Sequence, residues 1–72
     1  MLGKNERYVI RKGKAFLRGI PYEDSSFCRW GWSPYDGFQS ENFDAAIIVA
    51  KRLGAEVMVF DRLTGDISGG WK

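Results

Sequence analysis

The sequence contains no histidine and only one cysteine, Cys28, among its 72 residues. Histidine is the side chain that most often transfers protons and binds metals near neutral pH. Composition therefore excludes zinc fingers, zinc ribbons and Ser-His or Cys-His catalytic sites. Neither a phosphate-binding loop motif nor a dinucleotide-binding glycine motif occurs in the chain. We expect a protein that is not an enzyme and that has no catalytic residue, no metal and no cofactor.

Long apolar runs are also missing. No segment approaches the roughly 20 apolar residues that a membrane-spanning helix needs, and residues 1–10 lack the apolar core of a signal peptide. The single cysteine cannot form an internal disulfide, on which small secreted domains commonly depend. These absences predict a cytoplasmic protein with no membrane partner.

Apolar and aromatic residues are plentiful. Hydrophobic residues make up 44% of the chain and aromatic residues 15%, while the formal net charge is only +2. Such a composition favours a folded chain over a disordered one. The length allows a single domain spanning residues 1–72, with a small core and no room for a cleft between subdomains.

The first predicted element is a β-hairpin. The segments Tyr8–Arg11 and Lys14–Arg18 have strand composition and flank Lys12 and Gly13. A two-residue turn at Lys12-Gly13 is one register, and a three-residue loop with Gly13 in the left-handed region would shift the pairing by one residue. We favour the first register because it creates one clean apolar face. That face consists of Tyr8, Ile10, Ala15 and Leu17.

A helix is predicted from the spacing of apolar residues between Ser40 and Gly54. Ser40 suits the N-cap, and Gly54 suits the position just after the last turn. Ile48 points away from the apolar stripe and is either covered by another element or exposed. The stripe consists of Phe43, Ala46, Ile47, Ala50 and Leu53.

The remaining strands complete a predicted α+β fold. Residues 27–32 form a possible third strand in which Trp30 and Trp32 share one face and should be both buried or both exposed. Glu56–Asp61 reads as a strand that is apolar on both faces. A short last strand is predicted over residues 66–68, with a looser tail at 69–70. The order β-β-(β)-α-β-β predicts an antiparallel sheet of about four strands with one helix packed on one face.

Basic residues are concentrated in residues 1–18, which hold six basic residues against one acidic residue. In the favoured register Arg7 faces Arg18 and Arg11 faces Lys14, an unfavourable arrangement that an anionic ligand would relieve. Phe16 on the same face could stack on a base. We favour the simpler explanation, a solvated sheet face whose charges are screened or paired with acidic residues from elsewhere in the fold. The alternative function is therefore a small nucleic-acid-binding domain that uses Arg7, Arg11, Lys14, Phe16 and Arg18.

Aromatic residues and an arginine are concentrated in residues 27–38. These residue types dominate the contacts that hold protein interfaces together. Burial of the tryptophans in a small core is the competing explanation. The pattern predicts binding to a protein partner, or self-association, through Arg29, Trp30, Trp32, Tyr35 and Ile48.

The order of short motifs across residues 7–68 resembles small uncharacterised proteins of bacteria and phages with a hairpin–helix–hairpin build. Some phage anti-defence proteins, including certain anti-CRISPR inhibitors, have a similar build and act by binding a host complex. The resemblance implies a phage or mobile-element accessory protein that binds macromolecules without catalysis, by protein–protein interaction. It transfers no functional residue. The motifs are Tyr8-Val9-Ile10, Phe16-Leu17, Trp30, Phe38, Ala45-Ala46, Ala50–Ala55 and Asp61–Ile67.

Overall fold

A computed structural model describes residues 2–19, 29–35 and 37–71. Within these residues, five strands form one antiparallel sheet in the order β3-β2-β1-β4-β5, and one helix packs against β1 and β4. The predicted α+β class is confirmed, with the possible third strand present. The elements are β1 Glu6–Lys12, β2 Ala15–Leu17, β3 Trp30–Gly31, α1 Phe43–Leu53, β4 Glu56–Asp61 and β5 Ile67–Trp71.

The first hairpin turns one residue later than the favoured register predicts. Lys12 pairs with Ala15, so the turn consists of Gly13 and Lys14. Gly13 has a φ of 64°, and glycine adopts this angle without the strain that Lys12 would suffer there. The pairing partners move by two positions, an even number. Each side chain therefore stays on its predicted face although the predicted register is wrong.

The predicted like-charge pairs do not form. Arg11 lies opposite Phe16 in β2 and opposite Glu56 in β4. Arg7 belongs to the part of β1 that lies beyond its paired region with β2, and it faces Phe60. The electrostatic cost that motivated an anionic ligand on this face is therefore absent.

Both faces of the central strands are buried. On one face the side chains of β1, β2 and β4 pack under α1, and on the other face they form a second, smaller cluster. The apolar character of β4 on both faces is confirmed by this arrangement. The cluster under the helix contains Ile10, Leu17, Ala46, Ala50, Leu53, Ala55 and Val57. The cluster on the opposite face contains Val9, Phe16, Met58 and Phe60.

The helix begins later than predicted and ends where predicted. Asn42, not Ser40, is the N-cap, and its side chain accepts a hydrogen bond from the Ala45 amide at 3.2 Å. Ser40 instead forms an isolated antiparallel bridge with Tyr8 of β1. Its amide donates to the Tyr8 carbonyl at 3.0 Å, and its carbonyl accepts from the Tyr8 amide at 2.7 Å. Gly54 closes the helix in the left-handed conformation, with a φ of 65°.

The strand β3 is shorter than predicted, and the two tryptophans do not share one environment. Trp30 is half-buried and packs against the cluster under the helix, whereas Trp32 is 81% exposed. The prediction is wrong because pairing stops at Gly31, so that the strand alternation does not reach Trp32. Cys28, the single cysteine, lies outside the described residues.

The last strand is longer than predicted and contains Gly69 and Gly70. Val59 pairs with Ser68 and Val57 with Trp71, so two glycines of β5 oppose a single residue of β4. This β-bulge shifts the alternation by one residue and turns Trp71 to the face that carries the helix. The predicted loosening of the tail at the glycines is therefore wrong.

Candidate protein-binding surface

The pairing of β3 with β2 ends at Gly31. The aliphatic part of the Arg18 side chain lies across Gly31, and it would have to move to admit a larger residue there. Arg18 in turn is tied to the same edge by its backbone amide, which donates to the Arg29 carbonyl at 2.7 Å. Arg18 thus brings a side chain of the first hairpin beside the aromatic segment, by which we mean residues 29–35 and 37–38.

Trp32 projects from this edge into solvent. It is 81% exposed and lines a small pocket of about 170 Å³ together with Arg18, Gly31 and Ser33. An exposed tryptophan on a small protein presents a large apolar area to water, which a partner would remove on binding.

Tyr35 is exposed on one side and anchored on the other. Its ring is 54% exposed, and its edge-to-face contact with Phe60 has a centroid distance of 4.7 Å and an interplanar angle of 89°. The hydroxyl reaches the turn between β4 and β5, since a side chain at Gly65 would come within 3.1 Å of it. Tyr35 therefore covers part of the second core cluster while presenting its outer face.

Hydrogen bonds hold the segment in shape. The Tyr35 amide donates to the Ser33 hydroxyl at 3.2 Å. The Gln39 side-chain amide donates to the Pro34 carbonyl at 2.9 Å and to the Tyr35 carbonyl at 3.4 Å. These hydrogen bonds give residues 33–35 a defined backbone shape, and a preformed shape reduces the entropy lost on association.

The far end of the segment is fixed to β2. Gly37 packs so closely on the Leu17 carbonyl oxygen that no side chain fits between them. The next residue, Phe38, donates its amide hydrogen to the same carbonyl at 3.0 Å. Both ends of the segment are therefore attached to the sheet.

Three of the five residues predicted to contact a protein partner are exposed and lie within residues 29–35, namely Arg29, Trp32 and Tyr35. Arg29 immediately precedes β3, and the two aromatic residues follow it. Trp30 packs against the cluster under the helix, whereas Tyr35 covers part of the cluster on the opposite face of the sheet. Ile48 is 60% exposed on the side of α1 opposite its buried residues, apart from the others. We define the aromatic surface as Arg18, Arg29, Trp32 and Tyr35.

The residues predicted to bind nucleic acid do not form a group of unpaired cations around an exposed ring. Arg11 forms an ion pair with Glu56 at 2.7 Å, and Arg7 forms one with Glu41 at 3.1 Å. Phe16 is buried in the second core cluster and cannot stack on a base from that position. Lys14 and Arg18 are exposed, and Arg18 belongs to the aromatic surface.

The sequence did not predict that Arg18 belongs to this surface. Arg18 was assigned to the hairpin because nothing local shows that β3 lies beside β2. The omission concerns a contact between distant parts of the chain.

In the described part of the chain no group of three or more histidine, cysteine, aspartate or glutamate residues could hold a metal ion. No helix among the described residues is long and apolar enough to cross a membrane. Comparison of the chain with protein-family models, with curated proteins and with solved structures gives no match. The resemblance to phage and bacterial proteins therefore stays a prediction.

Proposed function

We propose that this protein binds a partner protein through the aromatic surface and catalyses no reaction. The observation that supports this function most directly is the exposure of Trp32, 81%, in a segment whose backbone is held at both ends. Tryptophan, tyrosine and arginine are the residues that contribute most to binding energy at protein interfaces.

The charge of the surface indicates an acidic partner. Arg18 and Arg29 are both exposed, and among the described residues neither belongs to an ion pair. A partner with carboxylates around an apolar pocket would match two arginines beside an indole ring, and the pairing would raise the association rate. The proposal that the partner belongs to a bacterial host complex rests on the resemblance in motif order alone.

The test compares two exposed apolar residues on different surfaces. Tagged wild-type protein, Trp32→Ala and Ile48→Ala would be incubated with nuclease-treated lysate of the native host, and captured proteins quantified by mass spectrometry. We expect one or more proteins captured by wild type and by Ile48→Ala but depleted with Trp32→Ala. The purified partner should then bind Trp32→Ala about 30-fold more weakly, the effect of losing a central interface tryptophan.

Two results would contradict the proposal. Equal capture by all three proteins would show that the aromatic surface is not used. Capture that disappears on nuclease treatment, together with direct binding of oligonucleotides at low salt and steep weakening at higher salt, would identify a nucleic-acid partner instead.

A further inference from the structure

A second recess lies at the end of the sheet where the first hairpin approaches the C-terminal end of the helix. Its volume is about 470 Å³, within the range of small-molecule sites. It shares no residue with the aromatic surface. The walls consist of Arg11, Lys12, Gly13, Lys51, Gly54, Ala55 and Glu56.

Three basic residues from two separate elements line this recess. Arg11 and Lys12 come from the end of β1, and Lys51 comes from the last turn of α1. The Arg11 guanidinium is already oriented, because its Nε and Nη2 atoms both donate to Glu56 Oε1, at 3.0 Å and 2.7 Å. Lys12 and Lys51 are exposed and can move toward a ligand.

The carboxylate at the recess and two of the last helix carbonyls are already engaged. The single carboxylate, Glu56, accepts both hydrogen bonds from Arg11. The carbonyl oxygens at the end of the helix would repel an anion, but the Gly54 amide donates to the Ala50 and Lys51 carbonyls, and the Ala55 amide donates to Ala50 at 2.8 Å. The formal charge of the lining side chains remains positive.

We propose that this recess binds a small molecule that carries a phosphate group. A recess lined by two lysines and one arginine suits a doubly charged anion better than a single carboxylate. The space beside Gly13 and Gly54 is open, so a ligand can approach the backbone there. The volume exceeds that of a phosphate group, which leaves room for an organic part against Ala55.

The test is an NMR titration of the full chain. Inorganic phosphate, phenyl phosphate and benzoate would each be added to uniformly ¹⁵N-labelled protein at constant ionic strength. We expect saturable shifts of the Gly13, Gly54 and Ala55 amides with both phosphate compounds, tighter binding of phenyl phosphate, and much weaker shifts with benzoate. Tight binding of inorganic phosphate alone would point to a free phosphate ion and would overturn the proposal of an organic ligand.

Charge-matched variants decide whether the recess itself binds. Lys51→Gln should weaken phenyl phosphate binding by about three- to ten-fold, whereas Lys4→Gln, which removes an exposed lysine outside the recess, should leave it unchanged. Equal weakening by both variants, or shifts that do not saturate, would overturn the proposal, as would binding of an oligonucleotide only. Trp32→Ala should bind phenyl phosphate like wild type, so failure of this site and failure of the aromatic surface are distinguishable.

Discussion

The indole ring of Trp71 lies edge-to-face on the ring of Phe43, with a centroid distance of 5.4 Å and an interplanar angle of 81°. The contact joins the end of the last strand to the first turn of the helix. Tyr8 belongs to the same aromatic cluster, because the centroid of its ring lies 6.5 Å from that of Trp71 and 5.3 Å from that of Phe43. Three distant parts of the chain are therefore linked by one aromatic residue near its C-terminal end.

Trp71→Ala should lower the free energy of unfolding by about 1–2 kcal/mol, because it removes two aromatic contacts from a residue that is partly buried. Urea denaturation followed by far-UV circular dichroism measures the change. Trp32→Ala is the matched control, since Trp32 is 81% exposed, and it should change stability by less than about 0.5 kcal/mol. A larger loss from Trp32→Ala than from Trp71→Ala would show that the aromatic surface is part of the core.

Gly69→Ala should destabilise the fold by about 2 kcal/mol. Gly69 has a φ of 84°, which is strained for alanine, and a Cβ atom there would lie 2.6 Å from the Trp71 ring. Gly19→Ala is the control, because no atom of the described residues lies within 4 Å of its Cβ position, and it should cost little. Thermal or urea unfolding of both variants measures the two losses of stability. Equal stability of the two variants would contradict the β-bulge described at Gly69 and Gly70.

The ion pair between Arg11 and Glu56 should contribute more than the pair between Arg7 and Glu41. The side chains of the first pair are 33% and 22% exposed, whereas Glu41 is 73% exposed. Double-mutant cycles with glutamine should give a coupling of about 1 kcal/mol for Arg11–Glu56 and less than about 0.5 kcal/mol for Arg7–Glu41. Both values should fall in 1 M salt by screening. The reverse order would contradict the pairing described for β1 and β4.

Asn42→Ala should lower stability by about 1 kcal/mol through loss of the N-cap hydrogen bond to the Ala45 amide. Asn42→Asp keeps an acceptor oxygen and adds a negative charge that the helix dipole favours, so it should be neutral or slightly stabilising. Unfolding free energies of both variants, with Ser40→Ala beside them, locate the cap. A greater loss of stability from Ser40→Ala than from Asn42→Ala would show that Ser40 is the N-cap.

Local chemistry determined much of what the sequence predicted correctly. Alternation in the first hairpin assigned its side chains to the right faces, and the helical spacing together with Gly54 located the end of α1. The β4 strand was recognised by its composition with its full bounds. These features depend on residues that are neighbours in the chain, and their period is therefore visible in the sequence.

The candidate site was predicted only in part for the same reason. Arg29, Trp32 and Tyr35 lie close together in the sequence and are exposed, and their role in binding a partner stays a prediction. Trp30 packs against the core and Trp32 does not, because the pairing of β3 with β2 ends between them. The presence of Arg18 depended on that same pairing, which no local pattern specifies.

The sequence by itself determined the α+β class, the two faces of each long strand and the exclusion of histidine-dependent chemistry. Tertiary structure alone decided the turn at Gly13, the bulge that carries Trp71 to the helix, and the pairing of Arg7 and Arg11 with acids. Side-chain periodicity is local, whereas strand register and ion pairing arise from contacts between distant residues that form only when the chain packs.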